Sequence, residues 1–165
     1  MATAYSNKLG TSGTGQPARW CSGETLTVTG QYELTSSGLT NSTTSTTATH
    51  LIQMVPIPAG AVISSWHLST TDVDTHTTAT VTYNIGDGSD TTRFASGLTT
   101  GQSGGNASVT NGVTITSSSG TITKGLGYKY TADDTIDLQI AAGPATTATS
   151  GTIVLTVTYY CGDII

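Results

Sequence analysis

Three potential cation ligands stand at alternate positions in Thr71-Asp72-Val73-Asp74-Thr75-His76. In an extended segment Asp72, Asp74 and His76 share one face, and oxygen and nitrogen donors on one face are what a cation requires. A solvated strand end or turn accounts for the same spacing and is the plainer reading. Gly86-Asp87-Gly88-Ser89-Asp90 has the outline of a calcium loop but lacks the bidentate acid at the required distance, so its Asp and Gly residues suit a tight turn instead. Asp133-Asp134 fits the same turn chemistry. Nucleophilic catalysis needs a nucleophile, a base and an orienting group. Serines abound, and none is read as the nucleophile of a Gly-x-Ser-x-Gly elbow. His50 and His67 fall within strands and His76 at a strand end, places where a histidine is packed or solvated. The only glutamates, Glu24 and Glu33, lie in one strand region, with no spacing that makes them face each other as glycoside hydrolysis demands. No glycine cluster follows a strand and opens a helix, so no phosphate loop is expected. Neither an enzyme nor a cofactor is expected.

The elements that hold these residues are strands. Threonine alternates with apolar residues in Thr25–Thr29, Ala79–Tyr83, Val113–Thr116 and most clearly in Thr152-Ile153-Val154-Leu155-Thr156-Val157-Thr158-Tyr159-Tyr160. A side-chain period of two is strand geometry, and β-branched residues suit a pleated surface. Further strands are expected at Glu24–Leu34, His50–Pro56, Ala61–Thr70, Thr78–Ile85 and Thr135–Ile140. Val113–Ile122 reads as a hairpin across Ser117–Gly120. Gly97–Gly112 reads as a Gly, Ser and Asn loop, and Arg93–Ala95 as a short turn. Pro56–Gly60 is a turn with φ set by proline at two positions. The polar tract Thr35–Thr49 is a surface loop or a weakly registered edge strand. These spacings predict an all-β fold, an antiparallel β-sandwich or jelly-roll of about eight strands. Residues 1–20 offer little to bury and read as an extended or flexible N-terminal arm ending near Trp20. Residues 21–165 form one sandwich domain.

Only 9% of the residues are charged, against about 25% in an ordinary soluble domain. The hydrophobic fraction, 35%, falls in patterned runs, which argues against a disordered chain. A net charge of −5 with scattered Lys8, Arg19, Arg93, Lys124 and Lys129 excludes a basic footprint for nucleic acid. No apolar run approaches the roughly 20 residues of a membrane span. Met1–Lys8 lacks the basic start and apolar stretch of a signal peptide, so synthesis in a cytoplasm is expected. Cys21 and Cys161 would close a long loop if the first and last strands are neighbours, worth up to about 5 kcal/mol in the chain-entropy model. A reducing compartment favours two thiols instead.

Three stretches carry a resemblance. They are Ile52–Ile63 continued through Trp66-His67-Leu68 and Thr71–Asp74; Thr80-Val81-Thr82-Tyr83-Asn84-Ile85-Gly86-Asp87; and Tyr130–Leu138 with Gly151–Val157. An apolar strand, Ile57-Pro58-Ala59-Gly60, a second strand, a Gly-Asp turn and a late Ala-Asp-Asp-Thr-Ile-Asp-Leu strand make the chain resemble small structural proteins of tailed-bacteriophage heads. The resemblance covers about residues 50–160. It implies a virion protein, assembled in the host bacterial cytoplasm, that acts as a capsid decoration (cement) protein. It implies as partners the major capsid protein and further copies of the chain in a homotrimer. Residues 1–20 would then be an arm on the shell or a neighbouring subunit, with Tyr5, Lys8, Leu9, Arg19 and Trp20 as its contacts. A tail or fibre domain that binds host glycans is the alternative, and it needs exposed aromatic residues. Trp66, Tyr128 and Tyr130 are the candidates.

Overall fold

A computed structural model describes residues 3–5, 25–34, 50–110, 113–116, 119–122, 125–146 and 148–161, with backbone course alone for 3–5 and 113–116. The strands, in chain order, are β1 (Thr3–Tyr5), β2 (Thr25–Leu34), β3 (His50–Ile57), β4 (Ala61–Thr70), β5 (Thr82–Gly86), β6 (Ala95–Leu98), β7 (Gly105–Thr110), β8 (Val113–Thr116), β9 (Thr121–Ile122), β10 (Asp134–Ala142) and β11 (Gly151–Cys161). One 3-10 turn, Thr100–Gln102, precedes β7.

The alternation in β11 does what its period requires. Ile153, Leu155, Val157 and Tyr159 are fully buried, while Val154, Thr156, Thr158 and Tyr160 point outward. β2 lies beside it in antiparallel register, so outward threonines face each other: Thr27 and Thr158 hydroxyls are 3.0 Å apart, as are Thr29 and Thr156. Such cross-strand pairs add a few tenths of a kcal/mol each and help hold the register.

The two sheets have the orders β2-β11-β4-β7-β8 and β1-β3-β10-β5-β6-β9. With the short β1, β8 and β9 set aside, β2-β11-β4-β7 faces β3-β10-β5-β6, which is the strand order of a jelly roll. All pairings are antiparallel except β1, which lies parallel to β3 with Tyr5 opposite Gln53. The core between the sheets is built on Ile52, Met54, Ile63, Trp66, Leu68, Tyr83, Ile85, Phe94, Ile136, Leu138, Leu155 and Tyr159.

Three expectations need correction. Gly97–Gly112 is not a loop: it holds the end of β6, the 3-10 turn and all of β7, whose Ala107 and Val109 are fully buried. Short small-residue strands carry little hydrophobic signal, and β7 is set by pairing with β4, where Leu68 lies opposite Ala107. Val113–Ile122 is not a hairpin either. β8 pairs with β7 in one sheet and β9 with β6 in the other. The expected strand at Thr78 starts only at Thr82, because the N–H groups of Thr80 and Val81 donate to the Asp74 carboxylate instead of a ladder. The tract 35–49 lies outside the described residues.

The chain crosses between sheets at both ends. At one end β3 passes into β4 through Pro58–Gly60, with Gly60 at φ 87°. The same end receives the C-terminal ends of β5 and β11 and the N-terminal ends of β2, β6 and β10. It is called the Gly60 end below. At the opposite, Asp74 end, segments 71–81, 99–104 and 143–150 also cross between the sheets, from β4 to β5, β6 to β7 and β10 to β11.

Candidate functional site at the Gly60 end of the sandwich

Of the stretches quoted for the resemblance, Ile57–Gly60, Gly86-Asp87 and Tyr130–Asp134 meet at the Gly60 end, whereas Thr71–Asp74 and Gly151 lie at the Asp74 end. Asp87, directly after β5, is fully buried. Its Oδ1 accepts from Ser89 N at 3.0 Å, Ser89 Oγ at 2.8 Å and Asp90 N at 2.9 Å, a turn stabilised by its own side chain. The turn folds the chain back over Gly86, where a Cβ would collide with the Asp90 carbonyl. Arg93 then returns: its Nε donates to Asp87 Oδ2 and its Nη2 to Ser89 Oγ at 2.8 Å. Tyr130 completes the knot by donating its hydroxyl to Asp87 Oδ2 at 3.0 Å. Burial pulls the Asp87 carboxyl upward, but the Arg93 guanidinium and the donors of Ser89 and Asp90 outweigh it and leave it below its ordinary value. Burial, then the Asp87 charge, push the Tyr130 phenol far up, so it stays a donor at any physiological pH.

The backbone around Tyr130 locks the crossing turn. Gly60 N donates to Tyr130 O at 2.7 Å and Tyr130 N to Ala61 O at 2.9 Å, while Ala59 N donates to Asp133 Oδ1 at 2.9 Å. One step earlier, Val62 bridges to Lys129. The Pro58–Gly60 turn, the Asp87 turn and the Tyr130–Asp134 segment are therefore one hydrogen-bonded unit.

Tyr128 stands at the rim of this unit. Arg93 Cζ lies 3.8 Å from its ring centroid, and its ring meets that of Tyr130 edge-on at 5.0 Å. It is nevertheless 38% exposed, and Tyr160, at the same end, is 42% exposed; these are the exposed large apolar side chains among the described residues.

Asp137 lies beneath the knot, on β10 between Gln53 and Gly86. It is 1% exposed. Its Oδ1 accepts from Thr135 Oγ1 at 2.6 Å and its Oδ2 has no partner among the described residues. Burial first, then the charges of Asp134 and Asp87, push its carboxyl up to about 7. Burial also raises Asp134. A carboxyl whose folded value stands above its unfolded 3.8 stabilises the fold fully only below pH 4, and that stability is lost as pH rises towards 7. Asp137→Asn is accordingly expected to be near neutral at pH 4 and to stabilise at pH 8 by on the order of 3 kcal/mol. Urea titrations at the two pH values measure this, and an equal effect at both would refute the buried-acid assignment.

The residues singled out in the sequence scatter. Asp72, Asp74 and His76 do not converge on a cation: Asp72 caps Asp74 N at 3.0 Å, and His76 Nδ1 accepts from Thr78 N at 3.0 Å. Asp74 is buried with its oxygens on the N–H groups of Thr80 (2.7 Å), Val81 (3.2 Å), Ala145 (3.0 Å), Thr146 (3.0 Å) and His76 (3.4 Å). Among the described residues no group of His, Cys, Asp and Glu could hold a metal. Gly101-Gln102-Ser103-Gly104-Gly105 matches the letters of a nucleophile elbow, but it runs from the 3-10 turn into β7 with no helix after it. Of the arm contacts, Tyr5 is placed in β1 by its backbone; Lys8, Leu9, Arg19 and Trp20 lie outside the described residues, as does Glu24. Cys161 is disulfide-bonded, against the thiol expectation, and Cys21 lies outside the described residues. Trp66 and Tyr130 are buried at 2% and 3%, which leaves Tyr128 alone of the proposed glycan platform. No described helix is long and apolar enough to cross a membrane. Asp137 and Tyr160 were missed. The first had a signal in Thr135-Ile136-Asp137-Leu138, an acid within a strongly apolar strand.

Fold and site together define a jelly-roll protein whose buried acids serve as structural anchors. Comparison with solved structures places the same fold in phage capsids. The chain is similar to a chain in the capsid of Ralstonia phage GP4, with a TM-score of 0.69 and 23% identity over 98% of this chain and 99% of that one. It is also similar to a chain of the cyanophage Pam1 capsid asymmetric unit, with a TM-score of 0.62 and 24% identity over 89% and 91% of the two chains. No family model and no curated protein sequence matches it.

Proposed function

We propose that this chain is a structural component of a phage virion, without enzymatic activity. In the finer reading it is a decoration (cement) protein that binds the outer surface of the head, contacts the major capsid protein and stabilises the shell across subunit seams, as a homotrimer. The observation that carries this reading is the match along nearly the whole of both chains to a chain of a phage capsid. A jelly roll alone hosts many functions, so coverage of nearly the whole of both chains is the stronger support. The surface chemistry agrees. Outward rows such as Thr27, Thr158 and Ser65 carry hydroxyls rather than charges, and contacts made by such groups lose little to salt.

Purified protein added to undecorated heads is expected to bind saturably and to raise the temperature at which the heads release DNA. Heads that sediment without it would remove the decoration reading. Binding to glycans in place of heads would favour the tail or fibre alternative, which the burial of Trp66 and Tyr130 disfavours.

A further inference from the structure

β3 has β10 on one side and, on its outer edge, β1, the only parallel partner among the described strands. Thr3, Ala4 and Tyr5 stand opposite Leu51, Ile52 and Gln53. The edge is shaped for a strand of this length. Beyond Gln53 the register to β10 gains an extra residue, Met54, between the Gln53–Asp137 and Val55–Ile136 pairs, and Pro56 then offers no N–H. A bulge bends its strand and interrupts regular pairing, so the straight run of the edge stops where β1 stops.

Two features make β1 exchangeable between copies of the chain. Its hold on the edge is small. Ordering three residues costs about as much as two or three ladder hydrogen bonds return. Its tether is long. Residues 6–24 join Tyr5 to Thr25. Within one molecule the tether runs from the level of Gln53 to the Gly60 end, because Thr25 pairs with Tyr160 and Tyr160 with Val62. That leg is about 20 Å along the strand direction, and the step from one sheet to the other adds about 10 Å. Fully extended, the same residues reach about 60 Å. The two legs use about half of that reach, so chain length does not dictate whose edge Tyr5 arrives at. Every copy carries both the strand and an edge that fits it, which is the condition for exchanging an identical element at low cost. The hydrogen bonds made are the same in either case, but in exchange they also join the copies.

We propose that in the homo-oligomer the outer edge of β3, at Leu51–Gln53, receives Thr3–Tyr5 of a neighbouring copy of this chain in place of its own. The proposal rests on the homo-oligomeric part of the function proposed above and goes beyond it by naming the strand and the edge that link the copies. Passed head to tail around a three-fold axis, the exchange gives each copy one donated and one received strand and leaves no edge empty.

Disulfide trapping in the full-length protein tests this. Thr3→Cys and Leu51→Cys are introduced together, since register partners on neighbouring strands have Cα atoms about 5 Å apart, within disulfide range. After oxidation, non-reducing denaturing electrophoresis is expected to show covalently linked pairs and triplets of chains. Co-expression of the two single variants, one of them lengthened by a tag, is expected to give a mixed linked pair, which no bond within one chain can produce. Single chains only, with the new thiols consumed, would show that each copy fills its own edge and overturn the proposal. New thiols left unreacted would show that this strand does not sit on this edge, and overturn it as well. Sedimentation of the wild type separates the two readings: an oligomer with either of those results keeps the homo-oligomeric reading, whereas a monomer overturns both. Deletion of Thr3–Tyr5 is the second measure. It is expected to raise the dissociation constant of the oligomer about tenfold or more, and an unchanged constant counts against the exchange.

Discussion

Asp74→Asn is expected to destabilise the protein by about 4 kcal/mol. The carboxylate is 1% exposed and accepts only backbone N–H groups, from segment 76–81 on one side and from Ala145 and Thr146 on the other. Those segments are two of the sheet crossings at this end, β4 to β5 and β10 to β11. An amide offers one acceptor where there were two and turns a donor towards N–H groups that cannot accept. Burial works against ionisation here, yet the N–H groups of Thr146, Thr80, Ala145 and Val81 outweigh it and hold the carboxyl at about 2. A lowered value means that the stability is present above the unfolded 3.8 and lost as pH falls towards 2. Wild type should therefore lose stability between pH 4 and 2 while Asp74→Asn, already lacking the charge, loses less over that window. Thermal melts at pH 7 and pH 2.5 measure both effects. A variant that melts within a degree of wild type at pH 7 would show that the crossings hold without this anchor.

Asp87→Asn is expected to cost about 3 kcal/mol and to loosen the Gly60 end selectively. Removing one member of a buried ion pair leaves the other without compensation, which is worth roughly 3–5 kcal/mol in full burial. The Arg93 side chain keeps 18% of its exposure, which places the cost at the lower limit. The amide would also set a donor against either Ser89 N and Asp90 N or Arg93 and the Tyr130 hydroxyl. Tyr130→Phe removes one of those donors, so a double-mutant cycle between the two positions should show a coupling of about 1 kcal/mol or more. Hydrogen exchange localises the effect: amides of Ser89, Asp90 and Gly60 should lose protection, and those of β11 should not. Uniform loss of protection across both sheets would instead mark Asp87 as a general stability residue with no special hold on this end.

The strands that the sequence announced most clearly are the ones the structure places centrally. Thr152–Tyr160 became β11, flanked by β2 and β4, and Thr135–Ile140 became β10, flanked by β3 and β5. Central strands are buried along a whole face, so their alternation is long and regular. β6 and β7 were illegible for the opposite reason. Ala95, Ala107 and Ser108 bury little apolar area, and their strand state comes from ladder hydrogen bonds to β5 and β4, partners remote in sequence. The same limit hid the fate of Val113–Ile122. Two short strands around a Ser-Ser-Ser-Gly turn spell a hairpin locally, and only the competing edges of β7 and β6 send them to opposite sheets.

For the site, Asp72, Asp74 and His76 show how far a period of two can mislead. Alternation puts donors on one face only while the backbone stays extended, and Asp72 and Asp74 bend it with their own side chains. The identity of Asp87 as a turn residue was legible from its glycine neighbours. Its partnership with Tyr130, 43 residues away, was not.

By itself, then, the amino-acid sequence determined an all-β sandwich, its central strands, a turn ending at Gly60 and one at Gly86–Asp90, and a surface of hydroxyls with few charges. Each of these follows from local periodicity, proline and glycine geometry or composition, which neighbouring residues settle among themselves. β3, by contrast, runs on through Pro56 to Ile57 and does not stop at the proline. Tertiary structure alone decided the jelly-roll order, the assignment of short strands to sheets, the use of Asp74 and Asp87 as anchors, and the gathering of Tyr128, Tyr160, Arg93 and Lys129 at one end. Those depend on contacts between segments far apart in the chain, whose closure is governed by which edges and buried charges remain to be satisfied once the central strands have paired.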